Sequence, residues 1–414
     1  MSNTQLAATG LRRHWTLDPD VTFLNHGSFG AAPRAVLETQ AELRVRMERE
    51  PVRFLDHELE ERLDLAREPL AELLSAQPQD LAWLPNATTG VNSVAQSLEF
   101  AAGDEILTTD HEYNAVLNTL AAVARRHGAR VVVAQVPFPL ESADEAYEAV
   151  IAAVTQHTRL AVISHVTSPT ALRLPVERLV PALAERGIDT LIDGAHAPGM
   201  LPLDLEALGA AYYTGNCHKW LCAPKGAGFL HVRHDRQDRI RPLVVSHGAN
   251  SPRKDRSRYL LELDWTGTDD PTAYLSVPAA IDFLARLLPG GFLALMAANH
   301  ELAIRGRDIV LDALGTRPPA PDEMLGSMAA MLVPADLPPS SPPSPDAPAG
   351  TSLPDDPLHD ELMARGIQVP VHPWPGTTPA GRPRLRLLRI SAGAYNEVAD
   401  YASLAAALGE QSAT

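Results

Sequence analysis

Three short stretches carry residue types that could do chemistry together. The first is Lys219 in TGNCHKW, between His218 and Trp220 and shortly after an apolar run. A lysine among apolar neighbours loses hydration, its amine shifts toward the neutral form, and a neutral amine can attack a carbonyl to form a Schiff base. The second is Asp193 in LIDGAH, directly after another apolar run. A carboxylate there can bind a metal, a ribose hydroxyl, or a heterocyclic nitrogen that must keep its proton. The third is NATTG, residues 86–90, ahead of an apolar-periodic helix. Small residues and threonines at a helix start leave backbone N–H groups free for an anion, although a threonine there is equally a plain N-cap. Each stretch by itself has an ordinary structural reading as well.

Groups like these need elements whose ends converge. Short apolar runs predict strands at residues 105–109, 131–135, 160–164, 190–192, 211–214 and 228–232, and helical periodicity fills most gaps, at 115–127, 143–155, 176–186 and 205–208. Such alternation predicts an α/β fold with a mostly parallel sheet wound on both faces. Ligands of such sheets sit beyond the carboxyl ends of the strands, where Asp193 and Lys219 both fall. Leucines at helical spacing predict a helical block over 33–75, broken near Pro51 and Pro69. After about residue 290 the pattern changes to a helix over 292–314, an extended stretch over 327–333, and a Pro/Ser-rich stretch over 334–357. That last stretch has too little apolar content for a core and reads as a mobile loop or insertion. A helix, an extended segment, a strand over 385–390 and a helix over 396–408 complete the chain. The predicted division is an N-terminal arm over 1–20, a large domain over 21–290 and a small α+β domain over 291–414.

The 414 residues include 35 basic and 51 acidic side chains, a net charge of −16, and 45% are hydrophobic. That apolar share excludes wholesale disorder. The acidic balance argues against nucleic-acid or membrane-surface partners, which need clustered Lys and Arg; the basic run over 382–389 is too short to reverse it. Two cysteines, Cys217 and Cys222, make no disulfide framework. The first residues lack the apolar core of a signal peptide, and no uncharged apolar run approaches the ~18 residues of a membrane span. A cytoplasmic protein is the expectation. His231 and His234 fit a turn without further ligands, so no metal is expected. The G-x-G of KGAGFLH precedes a strand instead of following one, which speaks against dinucleotide binding.

An anion cradle on a helix, an acid after one strand and a lysine after the next are the parts that pyridoxal 5'-phosphate (PLP) requires. Their order and spacing are accompanied by LNHGSFG (24–30), HEYNAV (111–116), DGAHAPG (193–199), YTGNCHKWL (213–221), PKGAGFL (224–230), TGTDDPTAYL (266–275) and LRISAGAYN (388–396). Together, across nearly the whole chain, these motifs resemble the class V aminotransferase group of fold-type-I PLP enzymes, and within it the isopenicillin N epimerase-like branch.

The resemblance implies that Lys219 bonds the cofactor and then moves the Cα proton, while Asp193 pairs with the pyridine nitrogen. His196 would lie near the phenolic oxygen, and Ala87, Thr88, His218 and Asn216 would hold the phosphate. Tyr113 takes the position of the ring that stacks on the pyridine. Thr268 matches a threonine that reaches the neighbouring subunit's phosphate, which implies a homodimer with shared active sites. Asn25 and His26 would face the substrate, and Arg389 would hold its carboxylate by a bidentate pair, with Arg384 and Arg386 as rivals in the same basic run. The implied reaction works at Cα or Cβ of an amino-acid-bearing substrate through a quinonoid carbanion, in secondary or sulfur metabolism. Epimerisation leads, then C–S β-elimination, then transamination or decarboxylating deamination. A PLP-fold protein without catalysis is disfavoured by Lys219 and Asp193 occurring together. Desulfurases carry a cysteine shortly before the arginine; here that segment has none, and His372 and Trp374 suggest instead a loop lining the pocket.

Overall fold

The computed structural model describes residues 10–335, 337, 356–374 and 385–411. Most of the Pro/Ser-rich stretch, and Arg384, lie outside the described residues. The strands are β1 (Thr22–Phe23), β2 (Leu81–Leu84), β3 (Glu105–Thr109), β4 (Arg130–Ala134), β5 (Thr158–Ser164), β6 (Asp189–Gly194), β7 (Tyr212–Asn216), β8 (Gly228–Val232), β9 (Met328–Val333), β10 (Ile367–Gln368), β11 (Val371–Trp374) and β12 (Leu385–Ser391).

Seven of them form the central sheet in the order β2-β8-β7-β6-β5-β3-β4. The pairings from β4 to β7 are all parallel, and β8 runs antiparallel to both of its neighbours. The chain therefore has the expected α/β fold of a fold-type-I enzyme. Strands β6, β7 and β8 are buried along almost their whole length. They read as continuous apolar runs because helices cover both faces. One face packs Leu63, Leu70, Leu74, Leu179 and Leu183; the other packs Val91, Val94, Val116, Leu120 and Val123.

Among the differences from the sequence expectations are β1 and the helices Arg258–Leu263, Thr272–Leu275 and Val277–Leu287, which were not foreseen. Strand β2 was not expected: LAWL is four residues long and buried at every position, so it shows no alternation. Pro69 does not break the helical block, since it lies inside the helix Leu59–Leu74. Its ring deprives the Leu65 carbonyl of a partner, but Leu65 is 58% exposed and water can take that carbonyl. The break near Pro51 is present: the helix Arg34–Arg49 ends at Glu50, whose backbone leaves the helical region.

The later part of the chain builds a three-stranded antiparallel sheet, β11-β12-β9. Its core joins Val310, Leu358, Leu388, Tyr401, Leu404 and Leu408. Leu24 belongs to the same core, and β1 pairs in parallel with β10. The segment that begins at β1 thus ties the two cores together, then turns through His26–Phe29 to pass beneath the Lys219 loop. Gly30 makes that passage possible: a Cβ there would sit 2.8 Å from Lys219 Cα and 3.0 Å from Lys219 O. These are backbone atoms of a buried loop and cannot swing aside. Gly30→Ala is therefore expected to cost about 1–3 kcal/mol of stability, read as a lowered melting temperature. An unchanged melt would show that the two segments are not in tight contact.

Candidate active site

Strand β6 carries Asp193, and β7, its parallel neighbour, leads into the loop bearing Lys219; Asp193 and Thr214 are register partners. The Asp193 side chain is buried, and its Oδ1 accepts the Ala195 N–H at 2.9 Å. Oδ2 has no partner among the described residues. Burial raises the Asp193 pKa, against the opposing pull of the Ala195 N–H and the Lys219 charge. The Lys219 Nζ lies 3.2 Å from His196 Nε2. Its amine is pushed down to about 7, chiefly by desolvation, with Asp193 opposing and Arg389 assisting. His196 is buried and held well below the usual imidazole range by desolvation and then by Lys219, and its Nδ1 is buried without a partner. A large fraction of Lys219 is thus a neutral amine near pH 7, the form that attacks carbonyls.

The anion end is the start of the helix Ala87–Ser97. Asn86 caps it by accepting the Thr89 N–H at 2.8 Å. Gly90 lets this helix lie against β7, since a Cβ would meet the Thr214 Cβ at 2.7 Å. The Thr88 N–H and hydroxyl have no protein partner among the described residues, which leaves two donors for a phosphate. Ala87 differs from expectation: its N–H is donated to Asn216 Oδ1 at 2.8 Å. Asn216 therefore ties the helix start to the end of β7, and only its amide NH2 remains to donate. His218 donates from Nδ1 to the Ala227 carbonyl at 2.7 Å and is pushed down to about 4 by desolvation. Its neutral Nε2 is a lone pair, so it donates to an anion only after taking up a proton, which a bound dianion favours. Tyr113 is 42% exposed at the start of the helix Asn114–His127 and is not a core residue.

At the third corner Arg389 is 1% exposed. Its Nη1 donates to the Ser168 carbonyl at 2.5 Å and the Ser168 hydroxyl at 3.1 Å. Its Nη2 donates to Ser28 Oγ at 2.8 Å and Asn25 Oδ1 at 3.3 Å. Every acceptor is uncharged, and no carboxylate among the described residues pairs with the guanidinium. Burial lowers its pKa to about 10. A buried cation held only by neutral acceptors is a site for an anion. Arg386, its rival, is spent on a buried ion pair with Asp356.

His26 departs from its expected place toward substrate. Its Nδ1 meets Tyr395 Oη at 2.7 Å and its Nε2 meets the Lys219 carbonyl at 2.9 Å. With both nitrogens engaged and the ring against Trp220, it holds the lysine's backbone from below. Ser28 and Ser168 were not foreseen; Ser28 lies within LNHGSFG, whereas Ser168 had no signal of its own. His372 and Trp374 lie on β11 and not on a loop, and Trp374 packs edge-on against His111 at 4.4 Å. Thr268 is exposed and lies elsewhere on this chain. It is on the wall of a cavity of about 700 Å³ that Leu63, His247, Arg253, Arg256 and Trp265 also line.

Anion donors at a helix start, an acid with an open oxygen, a neutral amine and an unpaired buried arginine fit PLP and a carboxylate-bearing substrate. Residues 30–326 match the family model Aminotransferase class-V. The chain is 40% identical to isopenicillin N epimerase of Amycolatopsis lactamdurans over 416 residues, covering 97% of this chain and 98% of that one. It is 30% identical to a probable chloroplastic L-cysteine desulfhydrase of Arabidopsis thaliana over 406 residues, 93% of this chain and 81% of the relative. Its fold is similar to that of an apo cysteine desulfurase from Thermococcus onnurineus NA1, with TM-score 0.76 at 19% identity, covering 97% and 98% of the two chains. Fold, site and family matches together define a PLP-dependent enzyme of fold type I. The chain belongs to the aminotransferase class-V family.

The lowered lysine pKa has a kinetic consequence. Only the unprotonated amine captures the cofactor aldehyde, so covalent capture of PLP by the apoprotein should quicken about tenfold per pH unit below about 7 and level off above it. Rapid mixing with borohydride trapping measures this. A rate still climbing at about pH 9 would mean an ordinary, solvated lysine.

Proposed function

We propose that the enzyme epimerises the Cα centre of an amino-acid-bearing substrate, in cytoplasmic secondary or sulfur metabolism. The observation that carries this reading is the pairing of a desolvated lysine amine with a buried arginine that has no counter-ion among the described residues. The extensive similarity to an isopenicillin N epimerase supports it.

When bound, PLP supplies an electron sink for the charge left at Cα. The chain's own groups do the rest. Arg389 takes the substrate carboxylate, with Ser28, Ser168 and Asn25 fixing the plane of the guanidinium. Asp193 would hold the pyridine nitrogen's proton, with Oδ2 open for it. Thr88, the Asn216 amide and a protonated His218 would hold the phosphate. Lys219 removes the Cα proton, and the resulting ammonium donates to His196 Nε2 in the tautomer that carries the ring proton on Nδ1.

A C–S β-lyase is the second reading, favoured by the desulfhydrase relative. It shares the proton removal and differs in losing a thiol from Cβ. Persulfide chemistry has no support in the thiols: Cys217 and Cys222 are both buried, desolvation raises both, and Cys222 reaches about 12.

Incubation with candidate amino acids in D2O separates these outcomes. Deuterium at Cα in recovered, inverted substrate is expected, and Lys219→Ala should lose it by several orders of magnitude. Release of a thiol with pyruvate would select the lyase, and a keto acid with pyridoxamine phosphate would overturn both readings.

The reading includes a homodimer in which Thr268 serves the partner's phosphate. Mixing inactive Lys219→Ala chains with chains inactivated at Thr268 alone should then restore part of the activity, because the intact lysine of one chain is served by the intact threonine of the other. A monomer that stays active at high dilution would refute shared sites.

A further inference from the structure

Glu112, in the HEYNAV stretch, takes no part in the reading above, yet it is buried beside the cofactor's expected acid. It is 4% exposed. Its Oε1 accepts the Ser164 hydroxyl at 2.6 Å and the Tyr113 N–H at 2.8 Å. Its Oε2 is buried with no partner among the described residues. Ser164 stands directly opposite Asp193 in the β5–β6 register, so Glu112 is linked through the Ser164 hydroxyl to the rung that carries Asp193.

The other titratable groups around this rung are turned to different partners. His111 contacts the Thr170 hydroxyl and the Val136 carbonyl. His165 meets the Tyr213 hydroxyl and Glu177, and Lys219 meets His196. Asp193 is left as the charged group that acts on Glu112. A buried carboxylate with one bare oxygen is costly, and the neutral acid much less so. Burial, and then the Asp193 charge, push the Glu112 pKa up to about 8.

We propose that Glu112 is a positioning residue at the pyridine end of the cofactor site, a carboxylic acid linked through Ser164 to the rung of Asp193, which sets how firmly Asp193 holds the proton on the pyridine nitrogen. This rests on the reading that Asp193 faces that nitrogen. A pyridinium bound to Asp193 offsets the charge that Glu112 feels, so cofactor binding and Glu112 ionisation favour one another. Below its pKa Glu112 is neutral in both states and adds nothing. Above it, a second negative charge strengthens the hold on the pyridinium.

The test is the equilibrium affinity of the full chain for PLP, by ultrafiltration, with the visible band recorded alongside, from about pH 6 to about pH 9.5. Glu112→Gln keeps the Oε1 acceptor but cannot ionise. At the acid end the two proteins should agree within about twofold, and in the alkaline range wild type should bind about five- to tenfold tighter. Glu112→Asp should restore part of that gain, which a purely structural role would not do. A wild-type to Glu112→Gln ratio that stays flat across the range overturns the proposal.

Should Glu112→Gln fail to fold, Ser164→Ala decides. It removes one donor to the carboxylate, so the alkaline gain must move to higher pH; an unmoved profile overturns the proposal. Asp193→Asn should bind PLP more weakly at every pH and lose the alkaline gain. If it binds as wild type does, the reading of the pyridine end fails, whereas a normal Asp193→Asn loss with a flat Glu112→Gln ratio sinks Glu112 alone.

Discussion

An amine that is to act as nucleophile and base near neutral pH has to be kept from water without being handed to a carboxylate. The site depends on this constraint. Lys219 follows the strand next to the one that carries Asp193, and a direct ion pair between them would hold the lysine protonated. The structure avoids it: Nζ is 3.2 Å from the neutral His196, and desolvation outweighs the attraction of Asp193 in setting the lysine's pKa. Parallel strands make the arrangement repeatable, because consecutive carboxyl ends open on the same edge of the sheet.

Holding a desolvated lysine in place requires a rigid backbone, and that rigidity comes from far away in sequence. His26 accepts no role toward substrate because both of its nitrogens are used, one on the Lys219 carbonyl and one on Tyr395. Gly30 allows the same segment to lie against the Lys219 backbone. Two residues before His26, Leu24 is packed in the second core, and Asn25 touches Arg389. Arg389 and the lysine loop are thereby braced by one short stretch of chain, so a displacement of either core is felt at both.

Much of this was legible in sequence, and the failures have physical causes. The central strands, the lysine and the aspartate were readable because buried parallel strands are continuous apolar runs and chemistry sits just past their ends. Strand β2 was missed because four buried residues carry no period. Pro69 misled because the cost of a helical proline depends on whether the freed carbonyl can reach water, and Leu65 is exposed. Ala87 and Asn216 were both assigned to the phosphate, but the Ala87 N–H is taken by Asn216 Oδ1, which leaves Asn216 only its amide NH2 for an anion. Hydrogen bonds between residues 129 positions apart leave no mark in local pattern. Ser168 and Glu112 belong to the same category: their meaning lies in what the fold brings next to them.

The distribution of charge completes the logic of the site. The pyridine end holds two carboxyl groups, Asp193 and Glu112, about one rung, while the substrate end holds Arg389 with neutral acceptors only. Among the described residues neither end has a direct ion-pair partner, and each is buried, so each is costly until its complement arrives. A cationic ring nitrogen complements the first and a carboxylate complements the second. A ligand turned end for end would place like charge against like at both positions. The orientation of cofactor and substrate is therefore selected by repulsion in the wrong pose as well as attraction in the right one. Between the two ends stands the desolvated amine of Lys219.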